Sequence, residues 1–349
     1  MRMKRVIVTG VAGSVGSRVA RYLTEHDQVG SVVGVDIRSR PDQGYLEIRR
    51  GDLRHMDLVP DLRNADVLVH LASAFGRRRD GTDVSPLDTA STKATLAAAQ
   101  AADCGRVIVL SSAMVYGAWP TNPLPLTEQA PLRPNPGFRF AAHKAEVERL
   151  AVEWKSADPS RTAAILRPTT AVASGESSWV ARTLRASAGL SSDKSPPVQF
   201  LHLDDLARAV VVAVTEELDG PYNVAPDGWS DGEDVRQLLG RAPRLRLSSP
   251  MAGQIAEAGW RHRLAPTPPG ILPYATHAWV VANDRLRAVG WEPEFSTPEA
   301  FVEGHDPRPW AMVSSRQRQQ LAMGGMGAVG VAGLAAARIA LRLARDRRP

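Results

Sequence analysis

At 349 residues, 44% apolar and 23% charged, the chain has the make-up of an ordinary globular protein, long enough for one large α/β domain with a smaller lobe. Its formal charge of +6 points toward nucleic acid at first sight. However, Arg316, Arg318, Arg338, Arg342, Arg345, Arg347 and Arg348, set against Asp346, place that whole excess beyond residue 311, and a neutral body argues against binding a phosphate backbone. The only cysteine, Cys104, excludes internal disulfides and fits a reducing compartment, and "MRMKR" runs straight into "VIVTG" without a secretory apolar region, so a cytoplasmic protein is expected.

In chain order, the short apolar runs "RVIVTG", "SVVGVD", "VLVHLA", "RVIVLS" and "TAAILR" read as buried strands. Helical patterns at about 14–25, 56–63, 86–102 and 140–156 alternate with them. That alternation predicts a doubly wound, Rossmann-type, mostly parallel sheet covered on both faces. "VQFLHL" and "PYNVA" read as later strands, with a helix starting near Asp204. From Pro226 the pattern weakens and prolines multiply. The expected organisation is a sheet domain over 1–225 with an excursion at about 168–197, a smaller C-terminal substrate lobe over 226–310, and a basic tail over 311–349.

"VIVTGVAGSVGSRVA" puts Gly10, Gly13 and Gly16 between the first strand and first helix, with Ser14 and Val15 among them. Glycine permits the tight turn and the close approach of a pyrophosphate, and the helix N-terminus then faces the phosphates. The second strand ends in Asp36, followed by Ile37 and Arg38. Together these read as a dinucleotide site. A carboxylate accepts from ribose hydroxyls and repels a 2′-phosphate, at a cost of about 4 kcal/mol for like charges ~4 Å apart. NAD is therefore favoured over NADP, although Arg38 offers a phosphate partner. No metal is expected.

With these motifs in place, the chain resembles the extended short-chain dehydrogenase/reductases of the NAD-dependent epimerase/dehydratase family from about residue 4 to 305. "TGVAGSVG" is similar to the family's glycine turn, and "GDL" at 51–53 to the motif whose acid, here Asp52 beside Leu53, meets the adenine. "HLAS", with Leu71, Ala72 and Ser73, resembles the segment under the cofactor, and "LSSAMVYG" the active-site strand, with Ser112 at the catalytic serine and Tyr116 four residues later. "LRPTT", with Pro168, resembles the stretch that closes over the nicotinamide. The resemblance implies hydride exchange between NAD and a small substrate, such as a nucleotide sugar or a similar hydroxyl or keto compound.

The proton-transfer half of the pattern departs from the family. In "FRFAAHKAEVERL" the tyrosine expected four residues before Lys144 is Phe140, and Ala142 and His143 also drift. The family's asparagine aligns with Ser91. Lys144 lies on the face shared by Phe140, Val147, Ala151 and Trp154, so its ammonium points inward; the resemblance directs it to the nicotinamide ribose, the alternative being a lysine that snorkels to solvent. Phe140 carries no proton. One reading is an enzyme in which Tyr116, His143, His202, Ser112 or a water substitutes; another is an NAD(H)-binding sensor or scaffold without turnover. Arg77, Arg78 and Arg79 suit an anionic substrate or a solvated loop equally. The apolar, glycine-rich stretch within 321–345 leaves membrane association open, and a homodimer is also left open.

Overall fold

The computed structural model describes residues 2–38, 44, 46–73, 86–174, 196–238, 254, 257–258 and 268–304. Seven strands form one sheet: β1 (Lys4–Thr9), β2 (Val29–Asp36), β3 (Glu47–Arg50), β4 (Val67–His70), β5 (Arg106–Leu110), β6 (Thr162–Pro168) and β9 (Gly220–Val224). Their order is β3-β2-β1-β4-β5-β6-β9, and each pairing is parallel. Strand order reverses between β1 and β4, which opens a crevice at the carboxyl edge of the sheet. Thr9 pairs with both Val35 and His70, so the ends of β1, β2 and β4 lie level at that crevice.

Strand alternation decides the two cores. Val6 and Val8 point to the face covered by helices α1 (Ser14–Thr24) and α5 (Leu203–Thr215). Ile7 points the other way, toward α3 (Pro86–Ala101) and α4 (Arg139–Ser156). Val147, Ala151 and Trp154 of α4 are buried there, as their spacing predicted. Between 56 and 63 the predicted helix shrinks to a single turn, α2 (Val59–Leu62), because the chain first folds back through amides of His55 and Met56 onto the Asp52 carbonyl. β3 was not predicted. It is an edge strand, "EIRR", with charges where a central strand has valines.

"VQFLHL" yields only β8 (Phe200–His202), which pairs with β7 (Thr170–Val172) outside the main sheet. The remaining helices are short: α6 (Gly232–Leu238), α7 (Leu272–Thr276), α8 (Asp284–Arg287) and α9 (Thr297–Glu303). Residues 268–281 pack beside the loop after β5: Ile271, Tyr274, Trp279 and Val281 share a cluster with Met114, Tyr116 and Phe138. Residues 284–304 return to α5. There the fully buried Asp205 carboxylate accepts from the amides of Glu294 and Phe295 at 2.8 and 3.1 Å and pairs with Arg208, while the Trp291 indole donates to the Asp205 carbonyl.

No helix among the described residues is long and apolar enough to cross a membrane. The predicted tail over 311–349, the Arg77–Arg79 loop and, within the predicted substrate lobe, residues 239–253, 255–256, 259–267 and 305–310 lie outside the described residues.

Candidate functional site

The glycine turn between β1 and α1 is built as the sequence suggests. Gly10 has φ of +74°, and a Cβ there would lie 2.6 Å from the amide nitrogen of Ala72 on the segment after β4. A Cβ on Gly16 would lie 2.2 Å from the Gly10 carbonyl oxygen. Neither position admits a side chain. α1 begins after Gly13 with no side-chain cap and no acid in its first turn, so no side chain of its own offsets the positive end of the helix.

Asp36 closes the other side of the turn. Its carboxylate is buried and accepts from the amides of Ala12 at 3.0 Å and Arg38 at 2.9 Å, which ties the end of β2 to the glycine loop. Ile37 beside it is 63% exposed, an apolar surface at the mouth of the crevice. Asp52 sits on the loop after β3. The Arg54 guanidinium, donating to its carboxylate, holds its pKa down to about 2. Leu53 and Ala72 are half-buried, Leu71 buried and Ser73 exposed along the same carboxyl edge.

A polar chain runs through the floor of the crevice. The Thr92 hydroxyl donates to the Asp88 carbonyl at 2.9 Å, so the His70 Nε2–H donates to Thr92 at 3.0 Å and His70 Nδ1 accepts from Thr9 at 2.8 Å. Burial pushes the His70 pKa down to about 4, with Lys144 adding to that effect and Asp88 opposing it. This ring is neutral.

Lys144 is inward, as its helix face predicted, and 5% exposed. It does not snorkel. Its Nζ lies 3.2 Å from Asp88 Oδ2 in a pair whose side chains are only 6% and 4% exposed. Asp88 on α3 was not anticipated. Its other oxygen, Oδ1, is buried and takes no hydrogen bond among the described residues.

Ser112 lies just beyond β5 and caps the 3-10 turn Ala113–Tyr116, accepting from the Met114 amide at 3.2 Å; its own hydroxyl proton is not used in that bond. Tyr116, expected among the substitute acids, has its hydroxyl engaged within the protein. Its hydroxyl donates to Asn223 and accepts from Arg167, both at 2.7 Å, and the residue is 1% exposed. Burial pushes its pKa up to about 12. Arg167 in turn forks onto Glu148, with Ser111 donating to the same carboxylate at 2.5 Å.

Phe140 is half-buried, its ring 5.8 Å from Phe138, and it packs on the cluster formed with Tyr274 and Trp279. His143 is drawn to Thr89 at 3.1 Å. His202 caps α5 by accepting from the Asp204 amide and stacks on Phe295 at 4.0 Å. Ser91 donates to the Asp88 carbonyl, and Pro168 ends β6 in register with Val224.

The fold and crevice thus define a doubly wound domain with a glycine-lined turn at its switch point. The chain belongs to the NAD dependent epimerase/dehydratase family, which it matches over residues 6–225. It is 28% identical over 309 residues to the 3-diazoavenalumate denitrifying reductase of a Streptomyces species, covering 83% of this chain and 96% of the relative. To the UDP-glucose 4-epimerase of Azospirillum brasilense it is 25% identical over 333 residues, with 82% and 92% covered. The structure of MoeE5 in complex with UDP-glucuronic acid and NAD superposes with a TM-score of 0.64 at 25% identity, covering 86% of this chain and 97% of that one.

Proposed function

We propose that this protein is an NAD-dependent oxidoreductase of the epimerase/dehydratase type that acts on a nucleotide sugar or a chemically similar hydroxyl or keto compound. The observation that carries the reading is the cradle: Gly10 and Gly16, where a Cβ would strike backbone, facing an uncapped helix end, with buried Asp36 alongside. Those residues fit a dinucleotide. Family membership and the likeness to MoeE5, whose structure holds UDP-glucuronic acid and NAD, support the substrate class.

On this reading the turn of Gly10, Gly13, Ser14, Val15 and Gly16 receives the pyrophosphate, and Asp36 accepts from the adenosine ribose hydroxyls. Ile37, Arg38, Asp52, Leu53, Leu71, Ala72, Ser73 and Pro168 border the rest of the cofactor. Bound NAD supplies the hydride acceptor. Lys144 holds the ribose beside the redox ring, and the Ser112 hydroxyl orients a substrate oxygen. Phe140 contributes an apolar wall and no proton, so acid–base help comes from water, and turnover is slow.

Phe140 also supports a second reading, an NAD(H)-binding sensor or scaffold that does not turn over. One experiment separates the two: reduction of NAD by UDP-glucose, UDP-glucuronic acid and related sugars, followed in the parent and in Phe140→Tyr. Measurable parental turnover that rises about 10²- to 10⁴-fold in the variant supports the enzyme. Activity confined to the tyrosine variant supports the sensor.

A further inference from the structure

Lys144 has a partner that neither the glycine fingerprint nor its own helix foretold. Asp88 approaches from α3, and its carboxylate lies 3.2 Å from the ammonium, with both side chains almost wholly removed from solvent. The surroundings do not share that charge. His70, one residue beyond in the polar chain, is neutral because burial holds its pKa to about 4, and Thr92 and Ser91 bond the Asp88 backbone carbonyl, not the carboxylate. Asp88 Oδ1 has no hydrogen-bond partner among the described residues. A buried carboxylate with one oxygen unsatisfied is costly unless a nearby positive charge compensates it.

The chemistry of the expected ligand supplies such a charge. Oxidised nicotinamide carries a positive ring charge, and reduced nicotinamide carries none. A lone buried ammonium beside the ring repels the oxidised form, whereas a neutral ion pair does not, and an unpaired carboxylate attracts it. We propose that Asp88 is a specificity residue that keeps the site from discriminating against the oxidised dinucleotide, by cancelling the Lys144 ammonium in the floor of the crevice. The inference rests on the reading that Lys144 lies beside the nicotinamide ribose. It assigns Asp88 no contact with the reacting atoms; Asp88 acts through Lys144 and through its charge.

The test is the ratio of dissociation constants for NADH and NAD, measured by titration calorimetry on the full chain. ADP serves as a control for the adenine half. Asp88→Asn shifts the ratio toward NADH by roughly tenfold, Lys144→Met shifts it toward NAD, and Asp88→Asn/Lys144→Met returns it near the parental value, with ADP affinity constant throughout. Loss of packing alone would weaken both nucleotides together and leave the ratio unmoved. Should Asp88→Asn not fold, the Lys144→Met and double variants still make opposite demands on the ratio. Equal ratios in parent and variants overturn the role of Asp88 while leaving the dinucleotide reading intact. A parent that binds ADP but neither NAD nor NADH overturns both.

Discussion

Arg167 at the end of β6 and Glu148 on α4 meet in a buried fork, with the guanidinium 2.6 to 3.1 Å from both carboxylate oxygens and side-chain exposures of 6% and 3%. Ser111, Tyr116 and Asn223 complete the network, which locks the chain after β5, its following turn and β9 to one another. Removing one member strands the other. Glu148→Ala is expected to cost about 3–5 kcal/mol in urea unfolding. Glu148→Leu/Arg167→Met, which removes both charges, costs less than the single change, and equal losses would refute the pairing as the source of the effect.

Tyr116 and Ser112 should separate under mutation. Tyr116→Phe deletes a buried hydroxyl that serves Asn223 and Arg167, so it lowers stability by about 1–3 kcal/mol and leaves NAD affinity unchanged. Ser112→Ala removes only a cap to Met114, so stability falls by about 1 kcal/mol while turnover, where present, falls further. Denaturation curves paired with NAD titrations check both. A Tyr116→Phe variant of parental stability and lost turnover would return Tyr116 to the chemistry.

His70 makes stability depend on pH. Its folded pKa is depressed to about 4 against an ordinary 6.5, so below pH 6.5 the unfolded chain takes up a proton that the folded chain refuses. The contribution of the neutral ring is complete above about pH 6.5 and is lost as pH falls toward 4. It amounts to about 3 kcal/mol at most over that window. Urea midpoints at pH 7 and pH 4.5 should diverge in the parent, and the gap should narrow in His70→Asn.

At the cradle, Gly10→Ala drives a Cβ into the backbone of Leu71 and Ala72 and should abolish NAD binding even where the protein remains folded. Asp36→Ala removes the charge that disfavours a 2′-phosphate. NAD affinity should drop, and preference for NAD over NADP should fall by roughly tenfold or more. Calorimetry with both dinucleotides reads the result, and an unaltered preference would mean that Asp36 serves only the Ala12 and Arg38 amides.

The central strands and the cofactor cradle were legible because valine-rich runs, three glycines and a terminal acid are local patterns. β3 was hidden because an edge strand tolerates the charges of "EIRR". Glu148 and Asp88 were missed for another reason. Charged residues on helices read as solvated, and their burial depends on partners 19 and 56 positions away in sequence, Arg167 and Lys144. A signal for Glu148 existed: it stands one turn after Lys144 on the face already marked by Phe140, Val147 and Ala151. Tyr116 could not be assigned from its motif alone, since a tyrosine after an active-site strand has the same sequence whether its hydroxyl faces substrate or Arg167.

The stitching of Glu294, Phe295 and Trp291 onto Asp205 fixes where this protein can be shortened. A version stopped at residue 283 would strip the cover from an acid with no exposure at all and take away both amides that its carboxylate binds, leaving only Arg208 beside it. Attempts to isolate the NAD module as a fragment should therefore run at least through Gly304, and failure of shorter pieces to express would reflect that bared carboxylate, not any loss from the cofactor cradle.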